Sequence, residues 1–220
     1  MWRKLWLAAA IVASSAFALR VDAGPNTHPG TIHLKVSVFN DAQIPQSVLR
    51  AAEARTQSVF EQAGVSLTWL DCGTPGNWHT ELGCQDVSFP THLSVRLVAG
   101  KKAVSQDTFG QSYLNEQGEG NYANVYAATL SSAKALEVIG EGDLLGCVVV
   151  HELGHLLLGK NSHSAEGLMR AKWEVAELRE AARGNLLFSK SEAERMRAKY
   201  LSAAARGVEE VSSKLRAARR

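Results

Sequence analysis

The stretch DLLGCVVVHELGHLLLG, residues 143–159, decides how the rest of the chain is read. It is apolar apart from Asp143 and the polar residues at its centre, and it closes on a glycine. The run Val148-Val149-Val150 favours a strand by propensity alone. The length of the segment and the stop at Gly159 instead predict one central buried helix over 144–158, with Asp143 as candidate N-cap. At its centre, His151-Glu152-Leu153-Gly154-His155 spells HExxH. Two histidines four apart leave one helix face close enough for both imidazoles to bind a single metal ion. Glu152, one residue further round, reaches a water that such a metal activates. Its carboxylate would take a proton as that water attacks and pass it to a leaving amine. The competing reading is a pair of core histidines beside a glutamate, but a carboxylate in so apolar a helix is costly without a partner. The expectation is therefore a Zn²⁺ site, one ion per chain.

A catalytic zinc usually takes three protein ligands and keeps one open position. Two residues compete for the third place. His163 lies eight residues after His155, beyond the helix stop. The extended segment 160–163, at ~3.3 Å per residue, spans enough distance to return to the metal. Glu174 lies nineteen residues after His155 and needs a second helix packed on the first, for which Trp173, Val175 and Leu178 supply apolar positions.

Upstream, Ile32, Leu34, Val36 and Val38 alternate with polar residues, the period of a strand with one buried face. Pro45 stands where a helix could start and Gly64 where it could stop. Between them Leu49, Ala52, Thr56, Val59 and Ala63 form one stripe at helical spacing. Val65, Leu67 and Trp69 make a second strand, so the chain opens as two parallel strands joined by a right-handed crossover. Residues 71–90 read as loop, and Leu93, Val95 and Leu97 as a third strand. Phe109 to Leu114 reads as a short edge strand, and Tyr122 to Ala128 as a strand buried on both faces. Ser189 and Glu192 form a capping-box pattern for a C-terminal helix, with Met196, Tyr200 and Ala204 as its thin apolar stripe.

Residues 1–23 read as an export signal: Arg3 and Lys4 precede the apolar run Leu5 to Leu19, with cleavage expected after Ala18 or Ala23. That run is short for a bilayer span of ~20 residues. The expected location is secreted or periplasmic, with no membrane contact after cleavage and a single domain over 24–220. The chain carries 24 Lys and Arg against 22 Asp and Glu, and removing residues 1–18 takes away two of the bases. A balance this even points to neither nucleic acid nor anionic membrane as partner. Cys72 and Cys84 bracket a Gly/Pro-containing loop that a disulfide could close in an oxidising compartment. Cys147 is left over as a buried small hydrophobe. His28, His33, His79 and His92 show no ligand spacing, and Trp69 and Trp78 read as packing residues.

Taken in order, His151, Glu152, His155, Gly159, His163 and Met169 resemble the zinc segment of the metzincin clan of zinc peptidases. In that clan HExxH runs through a glycine to a third histidine, and a methionine sits in a tight turn beneath the metal. The spacing here is HExxHxxxGxxxH in place of HExxHxxGxxH, which calls for a longer helix end and a wider loop. The resemblance implies an α+β, metzincin-like fold: a mixed twisted sheet packed on helices, a central HExxH helix, and a small helical C-terminal subdomain. Residues 24–159 would form the upper subdomain and 160–220 the lower. The cleft between them would hold Zn²⁺ on His151, His155 and His163, with Met169 as the Met-turn. It also implies that segment 109–114 pairs with an extended peptide or protein substrate by strand addition. The implied activity is zinc-dependent endopeptidase hydrolysis with Glu152 as base. Two other readings stand beside it. One is a gluzincin-type peptidase with Glu174 as third ligand. The other is a non-catalytic secreted metal-binding protein, against which Glu152 argues, since a structural site needs no general base.

Overall fold

The computed structural model describes residues 31–78, 83–100 and 108–218. The expected export signal lies outside them, as do His28 and His79. The first alternating run forms β1, Ile32–Phe39, with Ile32, Leu34, Val36 and Val38 buried. It pairs in parallel with β2, Val65–Asp71, from Ile32 opposite Val65 to Val38 opposite Asp71. The crossover between them is α1, Gln46–Gln62, which buries Leu49, Ala52, Thr56, Val59 and Phe60.

Residues 71–90 are not wholly loop. Gly73–Thr74 (β3) and Asn77–Trp78 (β4) form a small antiparallel hairpin. A Cys72–Cys84 disulfide closes this region, twelve residues apart, as the loop chemistry predicts. Cys147 is free and buried, and burial pushes its thiol up to about 12, so it stays protonated and unreactive at neutral pH.

The remaining strands are β5 (His92–Val98), β6 (Gly110–Tyr113) and β7 (Tyr122–Tyr126). Together they complete a five-stranded sheet ordered β2-β1-β5-β7-β6. All pairings are parallel except β6 with β7, which run antiparallel and leave β6 at the edge. Two expectations need correction here. Tyr122 to Ala128 is a strand only to Tyr126 and then turns into α2, Ala127–Ser131. Its two faces also differ: Ala123 and Val125 are fully buried, whereas on the other face Tyr126 is buried but Asn124 is only half-buried, accepting from Tyr122 and donating to the Tyr113 hydroxyl of β6.

A 3-10 turn at Lys134–Glu137 leads into α3, Glu141–Leu158, the long helix expected from its apolar run. Asp143 is not its N-cap. Gly140 holds that position, and the Asp143 carboxylate sits in the first turn, where it suits the helix dipole and accepts from Arg55 Nε at 3.0 Å. Arg55 also donates to the Ala181 carbonyl at 2.8 Å, tying α1 to α3 and to α4, Val175–Ala182. Helices α1 and α3 cross at close range. A Cβ on Gly142 would lie 2.5 Å from that of Ala51, and one on Gly146 would lie 2.8 Å from the Ala52 carbonyl.

The chain ends in α5, Lys190–Ala218, preceded by the predicted capping box: Glu192 accepts from the Ser189 amide, and Ser189 Oγ from the Glu192 amide. This helix returns to the sheet half of the molecule. Tyr200 Oη donates to the His33 carbonyl at 2.7 Å, Lys199 Nζ to the Gly118 carbonyl at 2.6 Å, and Arg197 to the Ala63 carbonyl. No described helix is long and apolar enough to cross a membrane.

Candidate metal centre

Helix α3 continues to Leu158 and stops at Gly159, whose φ of 91° and ψ of −164° an L side chain rarely adopts. Asn161 follows in the left-handed region at φ 56°. These two positions turn the chain back, so that Ser162 and His163 face the helix they have just left. This is how the longer spacing on either side of the glycine is accommodated.

The turn brings three imidazoles together. His155 Nε2 lies 3.0 Å from His151 Nε2 and 3.1 Å from His163 Nε2, and one ligand atom from each ring falls within 4.8 Å of the others. Ligands ~2.0–2.1 Å from a tetrahedral zinc sit roughly 3.3 Å apart, so the spacing fits such an ion with little adjustment. The outer nitrogens are already engaged. His151 Nδ1 donates to the Leu168 carbonyl at 2.9 Å, which fixes the tautomer and leaves Nε2 with a bare lone pair. His155 Nδ1 lies 2.7 Å from Ser162 Oγ. Burial pushes His151 down to about 4, and burial together with the neighbouring His151 and His163 rings pushes His155 down to about 3. Both are neutral at pH 7. Ring nitrogens this close are held together by a cation or a shared proton between them, and the three-nitrogen donor set fits a metal ion.

Glu152 is buried, on the next position round the helix. Ser112 Oγ of β6 lies 2.6 Å from Glu152 Oε2 and 2.8 Å from the Glu152 carbonyl oxygen. Gly110 stands two residues earlier on the same face of β6, and a Cβ there would come within 2.5 Å of Glu152 Oε1. Below the helix, Met169 is fully buried, and its Sδ would lie 2.7 Å from a Cβ on Gly154. The Leu168 carbonyl that holds His151 also accepts from Trp173 Nε1 at 3.0 Å, and the indole packs edge-on to the His151 ring with centroids 5.7 Å apart.

Glu174 stands apart from this group. It is the N-cap of α4, in a reciprocal capping box with Glu177, and Arg170 donates to its carboxylate at 2.8 Å. Among the described residues only His151, His155 and His163 gather as potential ligands. Sequence reasoning missed Ser112, Gly110 and Ser162. The first two lie in the expected edge strand, but which of its faces meets the helix depends on sheet register. Ser162 is adjacent to His163, and nothing in the linear order aims it at His155.

The centre opens into a cleft of about 1530 Å³ lined by β6, the α2 region, α3 and the segment leading into α4. That exceeds the ~300–1,000 Å³ of ordinary small-molecule sites.

No protein-family profile matches the chain, and no curated protein matches it in sequence. Among solved structures it is similar to archaemetzincin from Methanopyrus kandleri, at 16% identity and a TM-score of 0.50, over 76% of this chain and 95% of that one. It is also similar to a zinc-dependent peptidase from Methanocorpusculum labreanum, at 14% identity and a TM-score of 0.49, over 73% of this chain and 99% of that one. At such identity the likeness is one of fold: the described chain shares the archaemetzincin architecture across nearly the whole of that protein.

Proposed function

We propose that this chain is an exported zinc-dependent endopeptidase of metzincin type, in which His151, His155 and His163 hold Zn²⁺ and Glu152 is the general base. The observation that carries the reading is the convergence of three imidazole Nε2 atoms beside a buried carboxylate, in a cleft bordered by a sheet edge. Zinc bound in such a set polarises a peptide carbonyl and acidifies water. The remaining work falls to the chain. Leu168 and Ser162 hold the outer imidazole nitrogens so that the inner lone pairs face the ion. Glu152 removes a proton from the attacking water and delivers it to the departing nitrogen. Edge strand β6, with a described neighbour on its β7 side, supplies main-chain groups against which an extended peptide can lie. The turn carrying Leu168 and Met169 forms the floor in the manner of a Met-turn. The leader-like residues 1–23 support export, and the Cys72–Cys84 bridge supports an oxidising compartment.

Turnover of a quenched peptide with and without chelator tests the reading, with metal content measured alongside. Chelation should abolish cleavage and added Zn²⁺ should restore it. Glu152→Gln should keep its zinc and lose ~10²-fold or more in turnover, because an amide accepts no proton at neutral pH. Cleavage indifferent to chelator, or undiminished in Glu152→Gln, would falsify the mechanism.

A further inference from the structure

Glutamate has three rotatable side-chain bonds, and beside a dication its carboxylate has two competing options: to serve as base or to swing across and ligate the ion. Something must hold it. The face of β6 turned toward α3 is shaped around this one side chain. At Gly110 the strand carries no Cβ, where one would lie 2.5 Å from Glu152 Oε1 and 2.6 Å from its Cγ. At Ser112, the next residue on that face, it carries a hydroxyl 2.6 Å from Oε2. The alternate residues Gln111 and Tyr113 point the other way, Gln111 accepting from Tyr126 and Tyr113 from Asn124. The empty position and the hydroxyl thus lie on the one face that meets the carboxylate.

Building on the peptidase reading, we propose that Ser112 is a positioning residue whose hydroxyl fixes the Glu152 carboxylate for its work as base, in the space that Gly110 leaves open. A serine suits the task better than a main-chain amide. The Ser112 hydroxyl has one proton and two lone pairs, and it also lies 2.8 Å from the Glu152 carbonyl oxygen. It donates to the carboxylate when that is ionised. When Oε2 carries a proton, the hydroxyl accepts a hydrogen bond from it and turns its own proton to the carbonyl, while the carboxyl proton stays on Glu152. The contact therefore survives each gain and loss of a proton by Glu152, with no net proton change at Ser112.

The test compares Ser112→Ala, Ser112→Thr and wild type as zinc-loaded full chains on one quenched peptide. Ser112→Ala should lower kcat about tenfold or more while KM and zinc content stay near wild type. Ser112→Thr, which keeps the hydroxyl, should recover most of the loss. An unchanged kcat in Ser112→Ala overturns the proposal, as does a loss carried by KM alone, which would make Ser112 a substrate contact. Crystal structures of the metal-free wild type and Ser112→Ala give a readout independent of turnover. One Glu152 rotamer in the first and several in the second is the expected result, and an unmoved carboxylate in Ser112→Ala overturns the positioning role. A wild type that cleaves no peptide defeats the peptidase reading, and the rotamer comparison then decides Ser112 by itself.

Discussion

His155 meets the Ser162 hydroxyl through Nδ1 at 2.7 Å, and His92 meets that of Ser37 through Nε2 at 2.8 Å. The two pairs look alike in isolation, and their surroundings make them different objects. Around His92, Ser37 Oγ lies 3.3 Å from the Cys84 carbonyl, and histidine and serine are both buried. That chain of contacts pins the disulfide-closed loop to the sheet, and the His92 ring is further engaged by a hydrogen bond with the Asp86 backbone. Around His155, the nitrogen opposite the serine faces the Nε2 atoms of two more imidazoles, at 3.0 and 3.1 Å. The second ring nitrogen, and what it faces, separates a candidate metal ligand from a packing histidine.

The strongest way to break this comparison is at the third imidazole. His163→Ala should weaken zinc binding by more than about a hundredfold, since even outer-sphere partners of metal ligands are worth 10–100-fold. Glu174→Ala should leave it unchanged, because that carboxylate caps α4 and pairs with Arg170. Competitive titration against a chromogenic chelator measures both, and loss of affinity in Glu174→Ala alone would reverse the assignment.

The two serines sharpen it. Ser162→Ala should cost roughly 10–100-fold in zinc affinity, because His155 Nδ1 then loses the partner that orients the ring. Ser37→Ala should leave zinc affinity untouched and instead cost about 1–3 kcal/mol of folding stability, the penalty of a buried ring nitrogen without its partner. Denaturant unfolding and metal titration of both variants separate the roles; equal zinc loss in the two would erase the distinction.

The smallest effect is a matter of pH. Burial holds His92 below its ordinary 6.5, with the nearby Lys35 pushing the same way and Asp86 opposing. The unfolded chain then binds a proton that the fold refuses. This contribution to stability is complete above pH 6.5, falls as pH drops from there to the folded value, and is flat beyond it. Replacing His92 with Asn should flatten the acid side of the melting temperature against pH in the zinc-loaded protein. A slope identical to wild type would show that His92 does not titrate between the two states.

Much of the architecture was legible in the chain alone. The two-residue alternation of β1 and β2 and the stripe of α1 reflect strand and helix geometry, which each segment carries within itself. The same holds for the pairing of His151 with His155, which needs nothing beyond four residues of helix. The Cys72–Cys84 bridge was equally local, a short loop with turn residues between its ends. Where expectation failed, a distant partner had intervened. Asp143 yields the cap position to Gly140 while its carboxylate meets Arg55 of α1, and the strand from Tyr122 stops at Tyr126 with its outer face joined to β6.

What only the tertiary structure decided is the surroundings of that pair. Segment 160–163 could have run away from α3; the left-handed turn at Asn161 brings His163 back, while Glu174 becomes a cap. Ser112 and Gly110 face Glu152 because of the register in which β6 meets β7, from Gly110 opposite Val125 to Tyr113 opposite Tyr122. A shift of one residue would have turned Gln111 toward the carboxylate instead. Helical and strand periods are properties of a short stretch of backbone and can be read along the chain. Register and the return of a loop depend on surfaces contributed from tens of residues away, so they exist only once the chain has folded.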